Sequence, residues 1–157
     1  MKKTTLFVLI LALTLTLTAC GKAAPAEKAP EPVDLAALRE SIEPLYPPMM
    51  EAGSDMRLAL LGIREEDCAQ CVVLLCADVM KYDELWLLEA ADDEALERLK
   101  GLAEQRMSAR AQESESYAPA QFAVVQQGQV LTSGRYLALI VSPEVDQAAK
   151  LFQEAVG

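Results

Sequence analysis

Cysteine is the most reactive side chain in this sequence, and three of its four copies fall close together at Cys68, Cys71 and Cys76. Cys68-Ala69-Gln70-Cys71 has the spacing of a thiol–disulfide couple, in which one thiol resolves the other. A redox pair of this kind normally opens a helix within a βαβ unit. Here the pair stands before an apolar, strand-like run, and Glu65, Glu66 and Asp67 precede it. Negative neighbours raise a thiol's pKa and deplete the reactive thiolate. We therefore read Cys68 and Cys71 as structural cysteines, with a redox couple as the alternative. Along an extended strand Cys76 faces away from Cys71, because faces alternate. A three-cysteine metal site would lack a fourth soft ligand, so no metal is expected.

The chain contains no histidine. That removes Ser-His-Asp and Cys-His catalysis and histidine metal sites. Carboxylates occur in three clusters, Glu65-Glu66-Asp67, Asp92-Asp93-Glu94 and Glu113 with Glu115. A facing pair could hydrolyse a glycan, but a solvated acidic surface with helix caps accounts for the same residues. None has the alternating oxygen ligands around a glycine that calcium needs. Trp86 is expected in the core, with the tyrosines packing at its edge and their hydroxyls reaching water. Tyr117 and Tyr136 are the candidate ligand contacts. No catalytic residue and no cofactor is expected.

The remaining cysteine, Cys20, sits in a different context. Met1-Lys2-Lys3 is followed by an apolar and threonine run from Leu6 to Leu17, which is 12 residues long. This is the positive and apolar pattern of a secretory signal peptide, too short for a simple spanning helix of roughly 20 residues. Leu17-Thr18-Ala19-Cys20, then Gly21, resembles the lipobox of bacterial lipoproteins. The resemblance implies cleavage before Cys20 and a thioether-linked diacylglyceryl group on its sulfur. One acyl chain binds a bilayer only marginally, whereas two hold. Losing Lys2 and Lys3 leaves 12 basic against 24 acidic residues, so the net charge goes from −10 to −12. Such a chain is repelled by nucleic acid and by anionic headgroups, which leaves the lipid as its means of attachment.

The domain that these residues belong to is expected over residues 34–157, after a signal peptide at 1–19 and a Pro/Ala/Glu linker at 20–33. Asp34 can cap a helix with Leu35, Leu38, Ile42 and Leu45 on one face. Pro44, Pro47 and Pro48 end it, and residues 46–55 read as a loop with Met49-Met50 as a soft contact. Met56 to Leu61 can form one or two helical turns, closed by Gly62. Gln70–Ala77 and Glu84–Ala90 are apolar runs that suit strands covered on both faces. Asp92 starts a long helix with Leu96, Leu99, Leu102, Ala103 and Met107 buried, expected to fray around Glu113 to Ser116. Pro119 starts a shorter helix that Gly128 stops. Val130–Thr132 and Arg135–Val141 form a hairpin around Ser133-Gly134. Ser142-Pro143-Glu144 then starts the last helix, burying Val145, Ala148, Ala149, Phe152 and Val156. The sum is an α+β fold, a small and mostly antiparallel sheet packed against helices in a single domain.

The C-terminal part resembles the domain of unknown function 4358 family of bacterial lipoproteins, found mostly in Gram-positive bacteria. The residues that carry the resemblance lie between about 70 and 156. They are Asp83-Glu84 before a hydrophobic strand, the charged helix from Asp92, Tyr117-Ala118-Pro119, Gly134-Arg135-Tyr136 before an apolar strand, and Ser142-Pro143. The resemblance implies a cell-envelope lipoprotein of unestablished activity and carries over no catalytic residue. The expected role is a non-enzymatic binding or scaffolding module, lipid-anchored on the extracytoplasmic face of the cell membrane. Its expected partner is an envelope protein or a small ligand. A redox protein using Cys68 and Cys71, and a carboxylate-based envelope hydrolase, are the alternatives.

Overall fold

Asp34 opens the first helix, α1 (Leu35–Ile42), by accepting at Oδ1 from the N–H groups of Ala36 and Ala37 at 2.9 and 3.2 Å. A cap of this kind contributes about 1 kcal/mol by occupying amides that have no helical partner. The structure is a computed structural model that describes residues 32–157. The expected signal peptide, Cys20 and the linker up to residue 31 lie outside the described residues. α1 buries Leu35, Leu38 and Ile42 and passes into a 3₁₀ turn at Glu43–Leu45, where Pro44 supplies no N–H for a longer helix.

The remaining elements are β1 (Met49–Glu51), α2 (Ser54–Met56), β2 (Cys68–Cys76), β3 (Glu84–Ala90), α3 (Asp93–Tyr117), α4 (Pro119–Gln127), β4 (Gln129–Ser133), β5 (Tyr136–Val141) and α5 (Val145–Val156). α2 widens into a π-helical turn, Arg57–Leu61, which Gly62 closes at φ 73°. The strands form one antiparallel sheet in the order β1-β2-β3-β5-β4. This is the expected α+β domain.

Helices cover both faces of the sheet, so the molecule has three layers. On one face α1 and α5 pack over Val72, Leu74, Leu85, Leu87, Ala138 and Ile140. On the other, α3 and α4 pack over Val73, Trp86, Leu88, Leu137, Leu139 and Val141. This is why β3 and β5 read as largely apolar runs, since their apolar residues on either side are in a core. Fully burying one such leucine contributes about 1.5–3 kcal/mol relative to leaving it exposed. α3 starts where expected, with Asp92 Oδ1 accepting from Ala95 N–H at 2.7 Å. Its innermost residues are Ala95, Leu99, Ala103 and Ser114, while Leu96, Leu102 and Met107 are half-buried. The small side chains let the helix lie close to the sheet.

Several boundaries differ from the sequence expectation. The expected loop at 46–55 contains β1, which pairs with β2 through Met49↔Cys76, Met50↔Leu75 and Glu51↔Leu74. Three residues are too few to display an alternation, and the pairing partner, not the local pattern, makes them a strand. β2 begins at Cys68, so the two cysteines lie within the strand and not before it. α3 does not fray at Glu113 to Ser116 but runs to Tyr117. Ser114 is fully buried there, its Oγ donating to Ala111 O at 3.1 Å, and α4 turns back directly after Ala118. The last helix starts at Val145, and Ser142 Oγ accepts from Glu144 N–H at 3.1 Å in the turn before it. The β4–β5 hairpin turns at Gly134, whose φ of 53° suits a two-residue turn that begins with glycine.

Candidate functional site

β2 carries a bulge between Cys68 and Gln70. Cys68 pairs with Ala90, Gln70 with Glu89 and Cys71 with Leu88. Residues 88 and 90 of β3 share a face, so the two cysteines opposite them share it too. A regular strand would place residues three apart on opposite faces. The extra residue, Ala69, cancels that alternation. Both thiols are half-buried against the α3-side core. Cys76 points to the other side of the sheet, pairing with Met49, and its Sγ is 3.9 Å from Pro48 O.

The last of the acids that precede the pair, Asp67, is engaged by two arginines. Asp67 is almost inaccessible, and its oxygens accept from Arg64 at 2.9 and 3.0 Å and from Arg98 at 2.6 Å. Burial pushes the Asp67 carboxyl up, but the two guanidinium groups outweigh it and hold the group below the usual carboxylate range. The Cys71 thiol is held below its usual value by its interaction with Cys68, with burial opposing, the Arg57 guanidinium adding to the lowering and Glu51 opposing. Cys68 is pushed up by that same interaction, by burial and by Asp67.

On the opposite face of the bulge Gln70 fastens the start of the domain. Its Nε2 donates to Val33 O at 2.7 Å and to Glu89 Oε2 at 2.7 Å, and its Oε1 accepts from Leu35 N–H at 3.1 Å. Tyr136 Oη accepts from Val33 N–H at 3.0 Å, and Arg135 donates to Glu89 Oε1 at 3.1 Å. Tyr136, a candidate ligand contact, thus holds the backbone entering α1. Tyr117, the other candidate, ends α3 with 82 % of its surface exposed. The structure does not bring the two together.

A second buried carboxylate organises the α3 face. Glu84 is inaccessible and accepts from Arg106 Nε and Nη2 at 3.0 and 2.9 Å, from Arg110 Nε at 3.3 Å and from Trp86 Nε1 at 2.8 Å. Arg110 also lies over the Tyr82 ring, 5.0 Å from its centre. Trp86 is in the core, as expected. On the α1 side, Asp83 is buried with Oδ1 unpartnered, and Tyr46 Oη is buried and unpartnered as well. Burial pushes the Asp83 carboxyl up. Burial also pushes Tyr46 up, and the charges of Asp83 and Glu84 add to it.

The sequence reading missed Gln70, Asp83, Glu84, Glu89, Arg106 and Arg110. A signal was present for some: Glu84 and Glu89 interrupt an apolar strand, and Arg106 and Arg110 stand one helical turn apart. The buried acids Asp67, Glu84 and Glu89 are each held by arginine, which fits support of the fold better than proton transfer. An open cleft of about 530 Å³ between the end of α1 and β1 is lined by Glu40, Glu43, Tyr46, Pro47, Pro48 and Met49. Among the described residues no cluster of three or more His, Cys, Asp or Glu could hold a metal ion. No described helix is long and apolar enough to cross a membrane.

A family model described as a domain of unknown function (DUF4358) matches residues 43–142. The matched stretch runs from the turn after α1 through the end of β5, and so contains all five strands. No curated protein and no solved structure matches the chain.

Proposed function

The chain belongs to the DUF4358 family, and we propose that it works as a lipid-anchored module on the extracytoplasmic face of the cell membrane, presenting its α+β domain to an envelope protein or small ligand. The observation that carries this reading is Leu17-Thr18-Ala19-Cys20 behind a short positive and apolar leader. The fastening of Val33 and Leu35 by Gln70 and Tyr136 supports it. A chain tethered through its N-terminal side carries any pull at that point. There the pull meets side chains of β2 and β5, not only the first turn of a helix. The cleft beside α1 and β1 is where a ligand would sit, and Glu40, beside a Glu43 already paired with Arg39 at 2.9 Å, favours one with a cationic or amine-bearing group.

The test is Cys20→Ala in cells fed a radiolabelled fatty acid. The wild-type protein should label and sediment with membranes, and the variant should do neither. A variant that still labels and stays membrane-bound would refute the anchor. For the module, crosslinking in intact cells should trap the same partner in the wild type and lose it in Glu40→Lys/Glu43→Lys. A partner captured equally by that double variant would move the binding face elsewhere.

A further inference from the structure

The bulge in β2 creates an arrangement that the Cys-x-x-Cys spacing alone does not. We propose that Cys68 and Cys71 are a reversible dithiol–disulfide site, exchanging two electrons with a disulfide substrate. The inference is independent of the anchored-module reading. It rests on the pairing of Cys68 with Ala90 and of Cys71 with Leu88, which puts both sulfurs on the α3 side of the sheet. Both thiols are half-buried, so a substrate can reach them while the core behind holds them in place. Arg57 stands near enough to favour a thiolate, and its Nη1 is held by Ala52 O at 3.1 Å. Arg64 and Arg98 hold the Asp67 carboxylate, whose charge bears on Cys68 and not on Cys71. Cys76, on the other face, is outside the couple.

The roles divide by environment. Cys71, whose thiol is held lower, is the nucleophile, and Cys68, held higher by burial and by Asp67 among its neighbours, resolves. The Cys71 thiolate attacks one sulfur of the substrate disulfide. That bond breaks, and the leaving sulfur departs with the electron pair and takes a proton from water. Cys68 then gives its proton to water, and its sulfur attacks the Cys71 sulfur of the mixed disulfide. The Cys68–Cys71 bond forms as the second substrate sulfur leaves and is protonated. Two protein thiols are oxidised and one substrate disulfide is reduced to two thiols. The reverse sequence regenerates the dithiol at the expense of a dithiol partner.

The experiment uses the purified full chain, carrying Cys76→Ser and with Cys20 blocked by its lipid or else replaced by serine, so that only the pair can respond. Equilibration in mixtures of reduced and oxidised glutathione, followed by acid quenching and maleimide labelling, should show both thiols lost together in one two-electron transition. Peptide mass spectrometry should find Cys68 linked to Cys71. In Cys68→Ser, glutathione should accumulate on Cys71, whereas Cys71→Ser should leave Cys68 largely unmodified. Alkylation of Cys71 at neutral pH should slow in Cys68→Ser. Reduction of oxidised glutathione and of insulin by the reduced protein form two arms, and the one that turns over identifies a small or a protein disulfide as the substrate. Thiols that stay labelled at the oxidising limit, equal glutathione adducts in both single variants, or turnover in neither arm would each overturn the proposal. The titration of the Cys76→Ser chain decides the matter even if a further cysteine variant fails to fold.

Discussion

Glu84 is the residue whose role depends most on its neighbours. It stands at the start of an apolar strand, is inaccessible, and is held by Arg106, Arg110 and the indole of Trp86. Truncating one partner of a buried ion pair leaves charge uncompensated and costs about 3–5 kcal/mol. Glu84→Ala should lose that much in denaturant unfolding, and a loss below about 1 kcal/mol would show the cluster to be peripheral to stability. Asp83, its neighbour, is buried with one oxygen unpartnered, and burial raises its pKa. A raised acid favours the folded state below its unfolded pKa and loses that contribution as pH rises through the folded value. Asp83→Asn should therefore unfold at a higher temperature than the wild type at neutral pH and lose the advantage in acid. A wild type that is the more stable at neutral pH would contradict this. Neither role was legible in the sequence. Asp83 reads as the end of a loop and Glu84 as an acid opening an apolar strand, and the partners of Glu84 appear only when α3 brings two arginines over it.

At the scale of elements, the sequence was a good guide to type and a poor one to edges. Asp34, Asp92, Pro119 and Gly128 mark helix boundaries by local chemistry, and α1, α3 and α4 begin where those residues stand. β3 and β5 are legible because both of their faces are buried. β1 was not, since its only reason to be extended is the free edge of β2. The bulge in β2 was illegible for a related reason. It is defined by the register against β3, and no local signal in Cys68-Ala69-Gln70-Cys71 sets it. Its two products, the thiol pair on one face and Gln70 on the other, belong to this scale. Gln70→Ala removes three hydrogen bonds at once and takes a donor from the buried Glu89. The expected cost is about 1–3 kcal/mol, accompanied by faster hydrogen exchange at the amides of Val33 and Leu35. Exchange that stays at the wild-type rate would mean that Tyr136 alone secures the start of α1.

For the whole molecule the decisive quantities are charge and layering. With 14 basic and 24 acidic residues, and 12 against 24 under the proposed removal of the leader, the chain has no electrostatic attraction to an anionic bilayer. The outcome expected for Cys20→Ala follows from that balance, and it extends to the wild type. Membrane retention through two acyl chains should survive washing in about 1 M salt, where the screening length falls to about 3 Å. The layering divides the labour of the sheet. The α3 face holds the Glu84 cluster and the cysteine pair, while the α1 face holds the fastening of the chain's entry and, at its margin, the acidic cleft.

The sequence by itself determined what depends on composition and on neighbours a few residues away. That covers the leader pattern ending at Cys20, the acidic charge, the absence of histidine chemistry, the capped helices and the two most buried strands. Only the tertiary structure decided which polar residues are partnered. Gln70 meets Val33 across 37 positions, and Arg106 meets Glu84 across 22. It also decided that Cys68 and Cys71 share a face, because the alternation along a strand is fixed by its own backbone while a bulge is fixed by the strand beside it.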